Sequence, residues 1–156
     1  MELKTYQDNV LRDLRDYLAA VDRENDLVAA WRAYWSDKDV AVGGDLFGVP
    51  AYHNDLPGVP HVCMKVPTGG GKTFLACCAA KRIFAVMPSV RPKVLVWLVP
   101  SDAILTQTVK NLSNPRHPYR QRLDADFGGR VEVYEKDQLL NGQNFSPDTV
   151  REVLTV

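Results

Sequence analysis

The chain has 156 residues, enough for one domain with a core of its own, and 46% of them are hydrophobic. Basic and acidic side chains number 19 each, so the formal charge is zero and any surface for a polyanion must be local. No apolar run is long enough to span a bilayer and no basic start leads into an apolar stretch, which argues against a membrane helix and a signal peptide and makes the cytoplasm the expected location. Cys63, Cys77 and Cys78 lack C-x-x-C spacing, and His53, His61 and His117 are scattered. The cysteines therefore read as small buried apolar residues of a reducing compartment, and no metal-ligand cluster is expected.

Residues 5–21 predict an amphipathic helix. Tyr6, Val10, Leu11, Leu14, Tyr17, Leu18 and Val21 share one face, while Arg12, Asp13, Arg15 and Asp16 mostly turn to water. Thr5 with Asp8 resembles a capping box. A second helix is expected from Asn25 or Asp26 to Trp35, with Leu27, Val28, Trp31, Tyr34 and Trp35 as its stripe. Trp31 and Trp35 lie one turn apart, a pair that either stacks a nucleobase or, more often at this spacing, packs in a core. Residues 36–60 carry Gly43, Gly44, Gly48, Pro50, Pro57, Gly58 and Pro60 with little periodicity. They read as a long connector, which serves a function or packs as an excursion.

An apolar run at residues 61–66 predicts a strand, and residues 74–86 predict a helix. Between them stands V-P-T-G-G-G-K-T, residues 66–73, in the strand, glycine loop, helix order of a phosphate-binding loop. Gly69, Gly70 and Gly71 let backbone N–H groups turn toward a triphosphate where a Cβ would collide. Lys72 brings a charge to the β and γ phosphates, the Thr73 hydroxyl is placed for Mg²⁺, and the helix start adds its dipole. The strict pattern begins with glycine, and here that position is Val66. A glycine-rich turn that merely precedes Lys-Thr is the alternative, and the flanking strand and helix signals favour the phosphate site.

Residues 87–92 form a short break with two prolines, and residues 94–99 are uninterrupted and apolar, as in a strand buried on both faces of a parallel sheet. Two such strands around one helix make a right-handed crossover the natural topology. Ser101 is expected to cap a helix reaching Leu112, with Ala103, Ile104, Leu105, Thr108, Val109 and Leu112 on its apolar face. The following loop holds Arg116, His117, Pro118, Tyr119 and Arg120 between Lys110 and Arg122, with no acidic residue in that interval. It either meets a nucleic-acid backbone or is a solvated loop tied to Asp124 and Asp126. Gly128 and Gly129 punctuate, residues 130–135 alternate like a strand, Pro147 with Asp148 opens a short helix, and residues 150–156 begin another strand.

Three stretches together, K-V-P-T-G-G-G-K-T, the upstream Y-Q of L-K-T-Y-Q, and L-V-P-S-D-A-I-L-T-Q-T, resemble superfamily 2 helicases. The nearest likeness is to the ATPase-translocase subunits of type III restriction endonucleases and their DEAD/DEAH-type relatives, whose loop tolerates a residue such as Val66. The resemblance implies an α/β P-loop NTPase, a RecA-like parallel sheet with flanking helices, forming an incomplete first motor domain preceded by two helices. Residues 1–60 would be those helices and the connector, part of the same motor domain, and residues 61–156 a partial ATP-binding domain.

The resemblance also assigns roles. Gln7 corresponds to the glutamine that reads the adenine edge, which suits an amide that donates and accepts at once. Tyr6 would pack near the base, and Thr68, Gly69, Gly70, Gly71, Lys72 and Thr73 would hold ATP and Mg²⁺, with Lys72 and Thr73 in the catalytic roles and Thr73 on the metal. Pro100, Ser101, Gln107 and Thr108 correspond to a motif that touches a nucleic-acid backbone, and in that context Arg116 and Arg120 become strand contacts. The implied partners are double-stranded DNA, met through its backbone, and the remainder of the motor or a modification subunit. After Gly129 the acids are Glu132, Glu135, Asp137, Asp148 and Glu152, with no adjacent pair ending an apolar strand. Such motors need a carboxylate for Mg²⁺ and water and arginines from a second domain. The expectation is therefore the ATP-binding portion of an ATP-dependent DNA translocase that hydrolyses ATP poorly alone, with apolar strand edges left open. Two alternatives stay open, a non-catalytic nucleotide-binding module and an unrelated P-loop enzyme.

Overall fold

The structure, a computed structural model, describes residues 2–43, 47–86, 93–141 and, by backbone, 152–155. It is mostly helical and divides into two compact units, Glu2–Gly70 and Gly71–Val156, so the division falls inside the glycine loop.

The amino-terminal unit is a helical pair with a long tail. Helix α1 (Thr5–Glu24) runs three residues past the expected end and stops where Asn25 takes the left-handed conformation, φ 52°, and its N–H bonds Val21 O. Asparagine tolerates that region better than most residues, which makes it a natural stop. The expected Thr5–Asp8 capping box is not formed. Lys4 occupies the cap position, and its backbone N–H is taken by Gln7 Oε1 at 2.9 Å, because glutamine at the third helical position reaches back where Asp8 is out of register. Helix α2 (Leu27–Ser36) is capped by Asp26, whose Oδ1 accepts from Ala29 N at 2.7 Å.

The helices meet through aromatic edges. Tyr17 is buried and meets Trp31 and Tyr34 edge to face, with centroids 6.0 and 5.7 Å apart. Trp31 and Trp35 meet the same way at 5.5 Å, so the tryptophan pair belongs to this cluster. The connector is tied to it: Trp31 Nε1 donates to Pro50 O at 2.9 Å, Tyr52 lies 5.9 Å from Trp31, and His61 N donates to Tyr52 Oη. Residues 61–66 are not a strand, against expectation, and Val62 is largely exposed. A strand exists through ladder partners, and among the described residues none pairs with this segment.

The carboxy-terminal unit begins with α3 (Lys72–Ala85) and continues with β1 (Lys93–Val96), α4 (Asp102–Ser113), α5 (Pro118–Phe127), β2 (Glu132–Tyr134), α6 (Lys136–Leu140) and β3 (Glu152–Thr155). The strands form a small parallel sheet in the order β1-β3-β2, with Val94 opposite Val153 and Val133 opposite Leu154. One core joins Cys77 and Ala80 of α3, Leu112 of α4, and Leu123 and Phe127 of α5, with Leu95, Trp97 and Val133 packed against it.

Two expectations are corrected here. The apolar run at residues 94–99 is not buried on both faces: Leu95 and Trp97 turn to the core, while Val94, Val96 and Leu98 are 47%, 59% and 89% exposed. Pairing in this sheet ends at Val96, and the helices cover one side of β1 only. The segment read as a basic loop is largely helix α5. Pro118 sits at its first position, His117 Nδ1 accepts from Tyr119 N at 3.3 Å, and Gly128 closes it at φ 66°. The two-proline break at residues 87–92 and the helix at Pro147 and Asp148 lie outside the described residues.

Candidate functional site

The glycine loop is built from its floor upward. Val66 is buried, and Gly70 N donates to Pro67 O at 3.0 Å, closing a turn over Thr68 and Gly69. Gly69 and Gly71 have φ of 74° and 72°, a region costly for any residue with a Cβ. Gly70 is glycine for lack of room: a Cβ there would stand 2.6 Å from Val66 Cγ1 and 2.8 Å from Pro67 O. The valine that departs from the strict pattern thus forms the surface on which Gly70 rests.

The Gly70 carbonyl accepts twice, from Tyr6 Oη at 2.8 Å and from Gln7 Nε2 at 2.9 Å. Both donors come from the first turn of α1. The Gln7 side chain is buried, with its Oε1 on Lys4 N and one Nε2 hydrogen on Gly70. An amide has two N–H donors and two lone pairs on oxygen, so one of each remains for a further partner. No local sequence signal announces these bonds, since they join positions 64 and 63 residues apart.

Gly71 is the left-handed cap residue of α3, and the helix opens on Lys72 and Thr73. Its N-terminus has no side-chain cap and no acidic residue in its first turn. The N–H groups and dipole of a helix start favour an anion, and the first turn of α3 brings no carboxylate of its own. Lys72 is exposed and Thr73 half-buried. Among the described residues no group of three or more His, Cys, Asp or Glu stands ready for a metal ion. The half-buried Thr73 offers a single hydroxyl oxygen, which fits an Mg²⁺ that keeps several waters and takes few protein ligands.

The proposed nucleic-acid residues separate into two groups. Pro100, Ser101, Gln107 and Arg116 are exposed, and Ser101 Oγ accepts from Ile104 N at a long 3.5 Å as the α4 cap. Thr108 and Arg120 are engaged within the fold. Thr108 is buried and its hydroxyl donates to Ile104 O at 2.7 Å. Arg120 spends its guanidinium on Asp124 Oδ1 at 2.8 Å, Leu112 O at 3.3 Å and Val131 O at 2.8 Å. Arg122 grips Asp126 with two bonds, and Lys81 reaches the same carboxylate at 3.3 Å. Here the reading of a basic segment tied to Asp124 and Asp126 describes the structure, and the i, i+4 spacing of these pairs was visible in the sequence.

The Cys77 and Cys78 thiols are buried. Burial pushes Cys77 up to about 12 and raises Cys78, and among the described residues neither they nor exposed Cys63 is in a disulfide. No helix among the described residues is long and apolar enough to cross a membrane. In comparison with known proteins, the family described as Type III restriction enzyme, res subunit, matches residues 1–151. No curated protein and no solved structure matches the chain.

Proposed function

The chain belongs to the family of type III restriction enzyme res subunits, and from that premise we propose that it is the nucleotide-binding part of an ATP-dependent DNA translocase. The observation that carries the reading is the loop itself: V-P-T-G-G-G-K-T delivers Lys72 and Thr73 at an uncapped helix start with no acid in its first turn. In this reading Lys72 offsets phosphate charge, backbone N–H groups of Gly69 and of residues 71–73 hold the polyphosphate, and Thr73 Oγ1 is a ligand for its Mg²⁺. Gln7 reads adenine with the donor and lone pair that its present bonds leave over. The fold that this function implies is a RecA-like parallel sheet flanked by helices, within which residues 1–60 and 61–156 serve one motor domain.

Phosphoryl transfer also needs a carboxylate for water and Mg²⁺ and arginines for the developing charge. The acids after Gly129 include no adjacent pair, and this reading assigns none of them that role. DNA contact is assigned to Pro100, Ser101, Gln107 and Arg116, through the phosphate backbone and in a cytoplasmic setting. Thr108 and Arg120 are left out because their polar atoms serve the fold. That internal use favours a second reading, a nucleotide-binding module that does not engage DNA.

Calorimetric titration with Mg-ATP tests the first claim. Lys72→Ala is expected to weaken binding at least about tenfold, a loss typical of removing a charge-assisted contact. Equal affinity in both proteins would remove the nucleotide assignment. Salt-dependent DNA binding that Arg116→Ala weakens supports the translocase reading, and its absence supports the module.

A further inference from the structure

Resting on the nucleotide reading above, we propose that Tyr6 is a positioning residue for the glycine loop, acting through the Gly70 carbonyl rather than on a base. The phenol donates to Gly70 O at 2.8 Å, and the Gln7 amide donates to the same oxygen at 2.9 Å. A carbonyl has two lone pairs, so successive side chains of α1 satisfy this one completely. The next peptide group follows from covalent geometry. In a planar trans peptide the C=O and the N–H point in opposite directions. Anchoring Gly70 O therefore aims the Gly71 N–H away from α1, and that N–H stands immediately before Lys72.

The surroundings of Gly70 leave the anchor little slack. Its N–H is held by Pro67 O, and its Cα sits where even a methyl group would strike Val66 and Pro67. A small rotation of the Gly70–Gly71 peptide would leave these contacts intact, and the two side-chain donors are what oppose it. They are not equivalent. Gln7 is also tied to Lys4 N and is buried, whereas Tyr6 is 38% exposed and spends its hydroxyl on the loop. An exposed ring contributes little to a core, so the purpose of this residue lies in its oxygen. Phenylalanine would fill the same space and could not donate.

A base-packing tyrosine and a loop-positioning tyrosine make opposite statements about a ligand that has no base. Wild-type protein and Tyr6→Phe are titrated with Mg-ATP and with Mg-tripolyphosphate, and the ligand-free proteins are compared by amide hydrogen exchange over residues 68–73. The expected result is a loss of about three- to tenfold for both ligands by the same factor, with a melting temperature lowered by no more than the few degrees that one hydrogen bond is worth. Faster exchange at Gly70 and Gly71 in the ligand-free variant accompanies it. Loss for ATP alone would return Tyr6 to the base, and no loss for either ligand would overturn the inference. An equal loss with a larger fall in melting temperature would mark a merely structural residue and overturn it too. If wild-type protein binds neither ligand, the nucleotide reading itself falls and takes this inference with it.

Discussion

The two units solve the same problem, joining helices to a core, with different chemistry. The amino-terminal unit uses rings: Tyr17, Trp31, Tyr34 and Trp35 meet edge to face, and the connector adds Tyr52. The carboxy-terminal unit uses small and aliphatic side chains, Cys77, Ala80, Leu112 and Leu123, and closes its periphery with Arg120 and Arg122. Aromatic clusters tolerate half-exposed members, because a ring keeps its edge contacts while one side faces water. An aliphatic core gains only from what it removes from water, so its members are driven to complete burial. The first unit thus adds ring geometry to buried leucines such as Leu11 and Leu14, and the second adds guanidinium bonds to backbone carbonyls to a core edged by Phe127.

The largest blow to the second kind of core is Leu112→Ala, at a side chain with no exposure. It is expected to cost about 3 kcal/mol, with the cavity adding to the lost transfer energy. Among the described residues the two clusters named above share no member, so in a Trp97→Phe background, where Trp31 and Trp35 report on the first unit, the fluorescence transition should stay in place. A matching shift there would break the comparison. Arg120→Ala follows at roughly 2 kcal/mol, because Leu112 O and Val131 O lose a charged donor, and Arg120→Lys should not rescue it. Chemical denaturation of the two variants checks both values.

The helix caps offer a finer contrast. Asp26→Ala removes a 2.7 Å cap from α2 and should cost about 1 kcal/mol. Ser101→Ala removes a cap bond of 3.5 Å from α4 and should cost no more than about half of that. Equal losses would mean that bond length is not what separates the two.

The last test is one of pH. The Cys77 thiol is raised by burial from 9.0 to about 12 in the folded chain, so its proton-linked stability is intact below pH 9 and is lost as pH climbs from 9 toward 12. Below pH 9, iodoacetamide should add one label to the folded protein, at exposed Cys63, and three after denaturation. Labelling of Cys77 in folded protein at neutral pH would contradict the burial.

Both local helices of the first unit were legible because their stripes repeat at helical spacing, with Asp26 in place as a cap. Helix α5 was hidden by its charges. Tyr119, Leu123 and Phe127 do stand four apart, but Arg120, Arg122, Asp124 and Asp126 between them read as a solvated segment until the structure pairs them across single turns. The run at residues 61–66 misled in the other direction, because apolarity supports a strand only where a neighbour supplies hydrogen bonds.

By itself the sequence determined the glycine loop, the residues at the helix start that follow it, and the family. Backbone conformation at glycine and the chemistry of Lys-Thr are local properties, and local properties are written in neighbouring letters. Tertiary structure alone decided that Val66 is a floor, that Arg120 holds the Leu112 and Val131 carbonyls, and that the phenol of Tyr6 ends on Gly70. Each depends on partners distant in the chain, whose approach is set by packing and satisfied hydrogen bonds and leaves no periodic mark on either segment.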